Sequence, residues 1–152
     1  MIERAMNLDQ KTNFQFGVLY FAHLLVMVDG KVDSREKAAL EEIKLKENIP
    51  DWIFDDFFEI ISTQTEQQIF KKGIEMLNQC SEEEKLNAFV HLYQLTEADD
   101  NIHRKEMRFL LYSLKATKVD FDDVELKAKA VKAFALKHSD MEPKEGKLKF
   151  LL

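Results

Sequence analysis

Leu25-Val26-Met27-Val28-Asp29-Gly30-Lys31-Val32-Asp33-Ser34-Arg35-Glu36 and Leu95-Thr96-Glu97-Ala98-Asp99-Asp100-Asn101-Ile102-His103-Arg104-Lys105-Glu106 are two versions of one stretch, 70 residues apart (95 − 25). Leu25 answers to Leu95, Asp29 to Asp99, Val32 to Ile102, Glu36 to Glu106 and, further on, Leu40 to Leu110. In each version an apolar run stops at an acid, a β-branched residue follows, and a new run opens with a Glu in its first turn. Upstream of the first turn, Phe14, Val18, Phe21, Leu25 and Val28 step by four and three, the period of a helix. Leu19, Tyr20, Leu24 and Met27 fill most of its other faces, so this helix belongs in the middle of a bundle. Phe89, Leu92, Tyr93, Leu95 and Ala98 give the run before the second turn the same character. Two copies are too few for a solenoid, but they suit a bundle with an internal pseudo-two-fold repeat.

Outward from these turns the pattern predicts seven helices, over 13–29, 34–47, 51–62, 66–79, 82–98, 104–117 and 121–138. Ser81-Glu82-Glu83-Glu84 and Thr65-Glu66-Gln67-Gln68 fit the capping box, in which a hydroxyl and a Glu or Gln side chain satisfy each other's backbone N–H groups. Asp120 suits the cap of the last helix, with Asp122 and Asp123 near its positive end. Pro50 stops the second helix at Ile49. The expected fold class is therefore all-α, a compact seven-helix bundle built from helix–acidic turn–helix units. A single domain over 1–138 is followed by a tail, 139–152, ending Lys147-Leu148-Lys149-Phe150-Leu151-Leu152.

Composition agrees. A chain of 152 residues, 45% hydrophobic and 33% charged, has the balance of a globular protein. At this size it buries about 70% of the surface its unfolded form exposes. Four Gly and two Pro are too few for the many turns of an all-β fold. A net charge of -6 repels phosphate backbones, so no nucleic-acid partner is expected. One cysteine, Cys80, makes neither an internal disulfide nor a Cys-rich zinc site. Its neighbours Gln79, Ser81 and Glu82–Glu84 offer no cation to activate a thiolate. Phe16–Val28, broken by Gly17 and His23, is shorter than the roughly 20 apolar residues a membrane span needs. Met1–Gln10 has no signal-peptide pattern. These features predict no membrane insertion and a cytoplasmic location.

Asp29-Gly30-Lys31-Val32-Asp33-Ser34-Arg35-Glu36 also matches the back half of an EF-hand loop, with Asp29 fifth, Gly30 sixth and Glu36 twelfth. The first and third positions must then supply oxygen ligands, but they are Leu25 and Met27. In the second version they are Leu95 and Glu97, and the sixth position is Asp100. The EF-hand reading fails. A structural reading covers most of the motif: Gly30 supplies a left-handed turn, Val32 fills the core, and Asp33 and Glu36 cap the next helix. It leaves Asp29 unexplained, because a carboxylate at a helix C-terminus faces the negative end of the dipole, at a cost of about 0.3–1 kcal/mol. Asp99 and Asp100 repeat the misfit, and such local conflicts mark functional positions.

In Phe21–Glu36, its echo at Tyr93–Glu106, and the seven-helix layout over about 13–138, the chain resembles the TerB-like family of small helical domains, named for tellurite resistance. The resemblance implies a pseudo-symmetric helical bundle and a place in bacterial stress responses. It also implies a divalent-metal site at paired acids, which carry over to Asp29 and Glu36, then Asp99 and Glu106. The second copy departs from the pattern, with Asp100 where the first has Gly30 and His103 where it has Asp33. If the turns converge, Asp29, Glu36, Asp99, Asp100 and Glu106 crowd negative charge that a cation would relieve. Their hard oxygens favour Mg²⁺ or Ca²⁺, and His103 widens the choice to Mn²⁺ or Zn²⁺.

A protein partner is the second expectation. Trp52, at the start of Trp52-Ile53-Phe54-Asp55-Asp56-Phe57-Phe58-Glu59-Ile60-Ile61, and Phe150 and Leu151 in the tail are anchor-type residues. Phe54, Phe57, Phe58 and Ile61 step at helical spacing and read as core. A homo-oligomer is compatible with the same features. Catalysis is not expected: no phosphate loop, His-Glu-x-x-His helix or nucleophile elbow occurs. His23 and His91 lie in apolar helices and read as satisfied core or groove histidines. The sequence thus reads as a non-enzymatic TerB-like module binding a protein partner, with a divalent cation at the acidic turns as a further ligand. A metal-free interaction scaffold is the alternative.

Overall fold

The computed structural model describes residues 2–28, 34–97 and 104–141, with side chains at 10–28, 36–97 and 104–136. Seven helices account for them: α1 (Ile2–Met27), α2 (Ser34–Lys46), α3 (Asp51–Thr63), α4 (Glu66–Leu77), α5 (Glu82–Glu97), α6 (Arg104–Thr117) and α7 (Phe121–Met141). No strand occurs among the described residues. The molecule is an all-α bundle.

α1 begins eleven residues earlier than the apolar periodicity suggests (13 − 2). No Pro or Gly lies between Ile2 and Phe16, and Glu3, Arg4, Ala5, Met6, Leu8, Gln10 and Lys11 are all good helix formers, so nothing stops the helix from extending. α7 likewise runs on to Met141, so Ser139-Asp140-Met141 continue a helix where a tail was expected. The remaining tail, 142–152, lies outside the described residues.

α1 is the central element. Phe14, Phe16, Val18, Leu19, Tyr20, Phe21, Ala22, Leu24, Leu25 and Val26 are all buried, which covers every face of the helix. It packs against α4 and α5 most closely and also against α2, α3 and α6. The Phe21 ring sits among Phe70, Phe89 and Phe109, with centroids 5.6, 5.9 and 6.1 Å away. Two glycines permit the close α1–α4 approach. A Cβ on Gly17 would lie 2.7 Å from Leu77 Cδ2, and one on Gly73 would lie 3.1 Å from Phe21 Cε2.

The helix starts obey local chemistry. At α4, Gln68 N–H donates to Thr65 Oγ1 (3.1 Å) while Thr65 N–H donates to Gln68 Oε1 (2.9 Å). At α5, Ser81 and Glu84 exchange the same two bonds, both 3.1 Å. Asp120 Oδ1 accepts from Asp122 N–H at 2.9 Å. Two helix ends carry a feature the sequence did not announce. Asn48 and Lys118 adopt positive φ, 52° and 60°. The next residues reach back across the turn, Ile49 N–H to Lys44 O and Val119 N–H to Leu114 O, each at 3.0 Å. These are Schellman endings made without glycine, and they lie 70 residues apart (118 − 48). The same offset separates the starts of α2 and α6 (104 − 34) and of α3 and α7 (121 − 51).

Candidate functional site

Glu36 stands in the first turn of α2 and is buried, 7% exposed. An unpaired carboxylate in such a place would lose several kcal/mol of hydration. It is paired: Glu36 Oε2 meets Nδ1 of His23, which α1 supplies from its core-facing side. The His23 ring packs edge-on against Phe57 of α3, centroids 6.1 Å apart. One turn along α2, Lys37, Leu40 and Glu41 face Phe54 and Phe58 of α3 across a cleft of about 350 Å³, with Glu36 at its edge. Phe54 and Phe58 meet edge to face at 5.0 Å. The Lys44 ammonium lies 5.6 Å above the Phe54 ring and 2.8 Å from Asp51 Oδ1. The hydrogen bond and charge of Lys44 hold the Asp51 carboxyl below its ordinary value.

A second His–carboxylate pair closes the other end of α2. His91 of α5 brings Nε2 to 2.5 Å from Glu47 Oε2. The Gln15 amide of α1 donates to the Glu47 carbonyl at 3.2 Å. Beside this pair Ala39, Glu42, Ile43 and Lys46 face His91, Gln94 and Leu95 across a smaller cleft of about 110 Å³. A third cleft, about 380 Å³, opens between α1, α4 and α6 over Leu24, Val28, Glu66, Gln67, Phe70, Phe109 and Tyr112.

Of the residues singled out from the sequence, Asp29, Asp99, Asp100 and His103 lie outside the described residues, as do Phe150 and Leu151. Glu36 and Glu106 occupy equivalent places, each buried in the first turn of its helix, with Glu106 fully so. The cleft beside Glu36 does not extend to Glu106. The position matching His23 is Tyr93 (93 − 23 = 70). The Tyr93 hydroxyl donates to Glu125 Oε2 of α7 at 3.5 Å. Burial, then Glu97 and Glu125, push the Tyr93 phenol up. Among the described residues no group of three or more His, Cys, Asp or Glu side chains is arranged around a common point.

Trp52 is 55% exposed, its ring edge-on to Phe16 at 6.3 Å. The aromatic stripe of α3 is less uniformly core than its spacing suggests. Phe57 is fully buried, Phe54 and Ile61 are partly covered, and Phe58 is 43% exposed at the mouth of the first cleft. Burial, and secondarily Glu84, push the Cys80 thiol up to about 12. Its Sγ lies 3.4 Å from the Met76 carbonyl.

The two His–Glu pairs are what sequence reasoning missed. His23 and His91 in apolar runs were a visible sign of satisfied groups, but their partners sit 13 and 44 residues away, at no periodic spacing. No helix among the described residues is long and apolar enough to cross a membrane. No family model, characterised protein or solved structure matches the chain.

Proposed function

We propose that the chain is a non-enzymatic, TerB-like module of the cytoplasm, associated with stress responses, that docks a protein partner on the α2–α3 face. The observation that carries the docking reading is the apolar cleft walled by Leu40, Phe54 and Phe58, with Phe58 exposed at its mouth; Trp52, also exposed on α3, lies outside its lining. Large aromatic side chains half out of water are what interface anchors look like before a partner covers them. The non-catalytic part rests on the absence of a recognisable catalytic motif and on Cys80, the one thiol in the chain, which burial keeps protonated near neutrality. A photo-crosslinking residue in place of Phe58, with Phe58→Asp as the competing variant, tests the docking reading. The expected outcome is a discrete adduct that Phe54→Ala, at the cleft wall, weakens. Crosslinking no stronger than at an exposed α7 position such as Lys129 would refute it.

A divalent cation at the acidic turns is the second reading, and the burial of Glu36 and Glu106 favours it. Each carboxylate is buried in the first turn of its helix and offers the hard oxygen a divalent cation takes. Titration calorimetry with Mg²⁺, Ca²⁺, Mn²⁺ and Zn²⁺ should give binding that Asp29→Asn and Asp99→Asn reduce. Absence of heat and of any melting shift would remove the cation and leave a metal-free scaffold.

A further inference from the structure

We infer that the groove between α2, α5 and α7 is the seat of the chain's own C-terminal segment, 142–152, with Phe150 taking the place there that Phe70 of α4 takes between α1 and α6. Phe70 packs on Phe21 of α1 and on Phe109 and Tyr112 of α6, with ring centroids 5.6, 6.0 and 5.6 Å away. Under the 70-residue offset those three positions become His91 (21 + 70), Ala39 (109 − 70) and Glu42 (112 − 70). All three line the small cleft between α2 and α5. On this offset the molecule carries α4's seat twice and, among the described residues, fills it once.

The turn that launches α4 supplies the reason. Thr65 caps α4 through Gln68. The position 70 residues on is Ala135, which has no capping oxygen, and α7 runs straight through it to Met141. What remains of the second seat is a groove. The cleft over Ala39 and Ile43 shares Lys46 and Gln94 with another, of about 290 Å³, that continues over Ala128, Val131 and Ala135. Gly17, which admits α4 to α1, answers to Asn87, whose Oδ1 accepts from Lys127 of α7. That end of the seat is closed to a helix as long as α4, so a short segment suits the rest. Eleven residues follow Met141, and Phe150 is their one aromatic side chain. Ala135, at the groove's edge, lies six residues before Met141 (141 − 135), about 9 Å of helix. The nine residues from Met141 to Phe150 (150 − 141) span up to about 30 Å, enough to turn back over Ala135 and enter the groove. His91 and Glu42 make this seat more polar than α4's, which suits one anchoring ring rather than a whole apolar face. The seat is independent of any docking on the α2–α3 cleft.

The full chain with the photo-crosslinker benzoylphenylalanine in place of Phe150 tests it, with adducts mapped by mass spectrometry. The expected result is an adduct within one chain, on peptides spanning 39–46, 91–97 or 128–135. Val131 lines the groove and is 42% exposed, so a substitution there spares the core. Val131→Asp should cut the adduct by about tenfold or more, since the seated ring would cover a carboxylate with no partner. An adduct joining two chains, an adduct on the α2–α3 cleft or anywhere else, no adduct, or a yield that Val131→Asp leaves unchanged overturns the seat. Should Val131→Asp fail to fold, Phe150→Ala read by amide NMR decides. Shifts centred on 91–97 and 128–135 support the seat, and shifts centred on Phe54 and Phe58, or none along the groove, overturn it.

Discussion

Replacing His23 with alanine removes the partner of a carboxylate that is 7% exposed. Three losses add up. Glu36 loses a hydrogen bond to a charged group, worth about 1.5–3 kcal/mol. The Phe57 ring loses the edge contact at 6.1 Å, worth about 0.5 kcal/mol or more. The orphaned carboxylate then draws in water, which keeps the total at about 3 kcal/mol, the lower part of the range for breaking a buried pair. For a chain of this length that is roughly 6–12 °C in Tm. Urea titration followed by far-ultraviolet circular dichroism measures it, with His23→Ala, Glu36→Ala and the double variant forming a cycle. A coupling energy of about 1.5 kcal/mol or more is expected, because each partner's removal already destroys the other's role. Single-variant effects that add to within about 0.5 kcal/mol would refute the argument that this pair holds α2 on α1.

Three further outcomes follow from particular contacts. Gly17→Ala should destabilise by about 1–3 kcal/mol despite the better helix propensity of alanine, since its Cβ would press on Leu77 Cδ2 at 2.7 Å; Gly73→Ala, facing the Phe21 ring at 3.1 Å, should lie closer to neutral in the same urea assay. The Tyr20 hydroxyl is buried with no hydrogen-bond partner among the described residues, so Tyr20→Phe should raise stability by about 1 kcal/mol, read as a higher melting temperature. Burial pushes both the Tyr20 phenol and the Cys80 thiol up to about 12. The folded chain keeps these protons where the unfolded chain releases them, so stability must fall as pH rises from about 9 toward 12. A thiol reagent at pH 8 should accordingly leave Cys80 untouched until the protein unfolds.

The helices and their starts were legible because the signals are local. A run such as Phe14, Val18, Phe21, Leu25 states its own period, and Thr65–Gln68, Ser81–Glu84 and Asp120 carry their caps within four residues. The central position of α1 was legible for a related reason, since a helix apolar on every face has nowhere else to go. Bounds that depend on the absence of a stop, such as the start of α1 at Ile2, were not. Nor were Asn48 and Lys118, which adopt a left-handed backbone that glycine would have advertised.

Period, capping and composition, all properties of neighbouring residues, were enough to set an all-helical chain with a buried first helix. Tertiary structure alone decided that Glu36 meets His23 and Glu47 meets His91, and that Phe58 edges a cleft while Phe57, one residue away, is sealed. It also decided that Glu106 is fully buried. Each of these depends on which helix lies across from which and at what rotation, and the energy that selects among such arrangements comes from contacts between residues far apart in the chain.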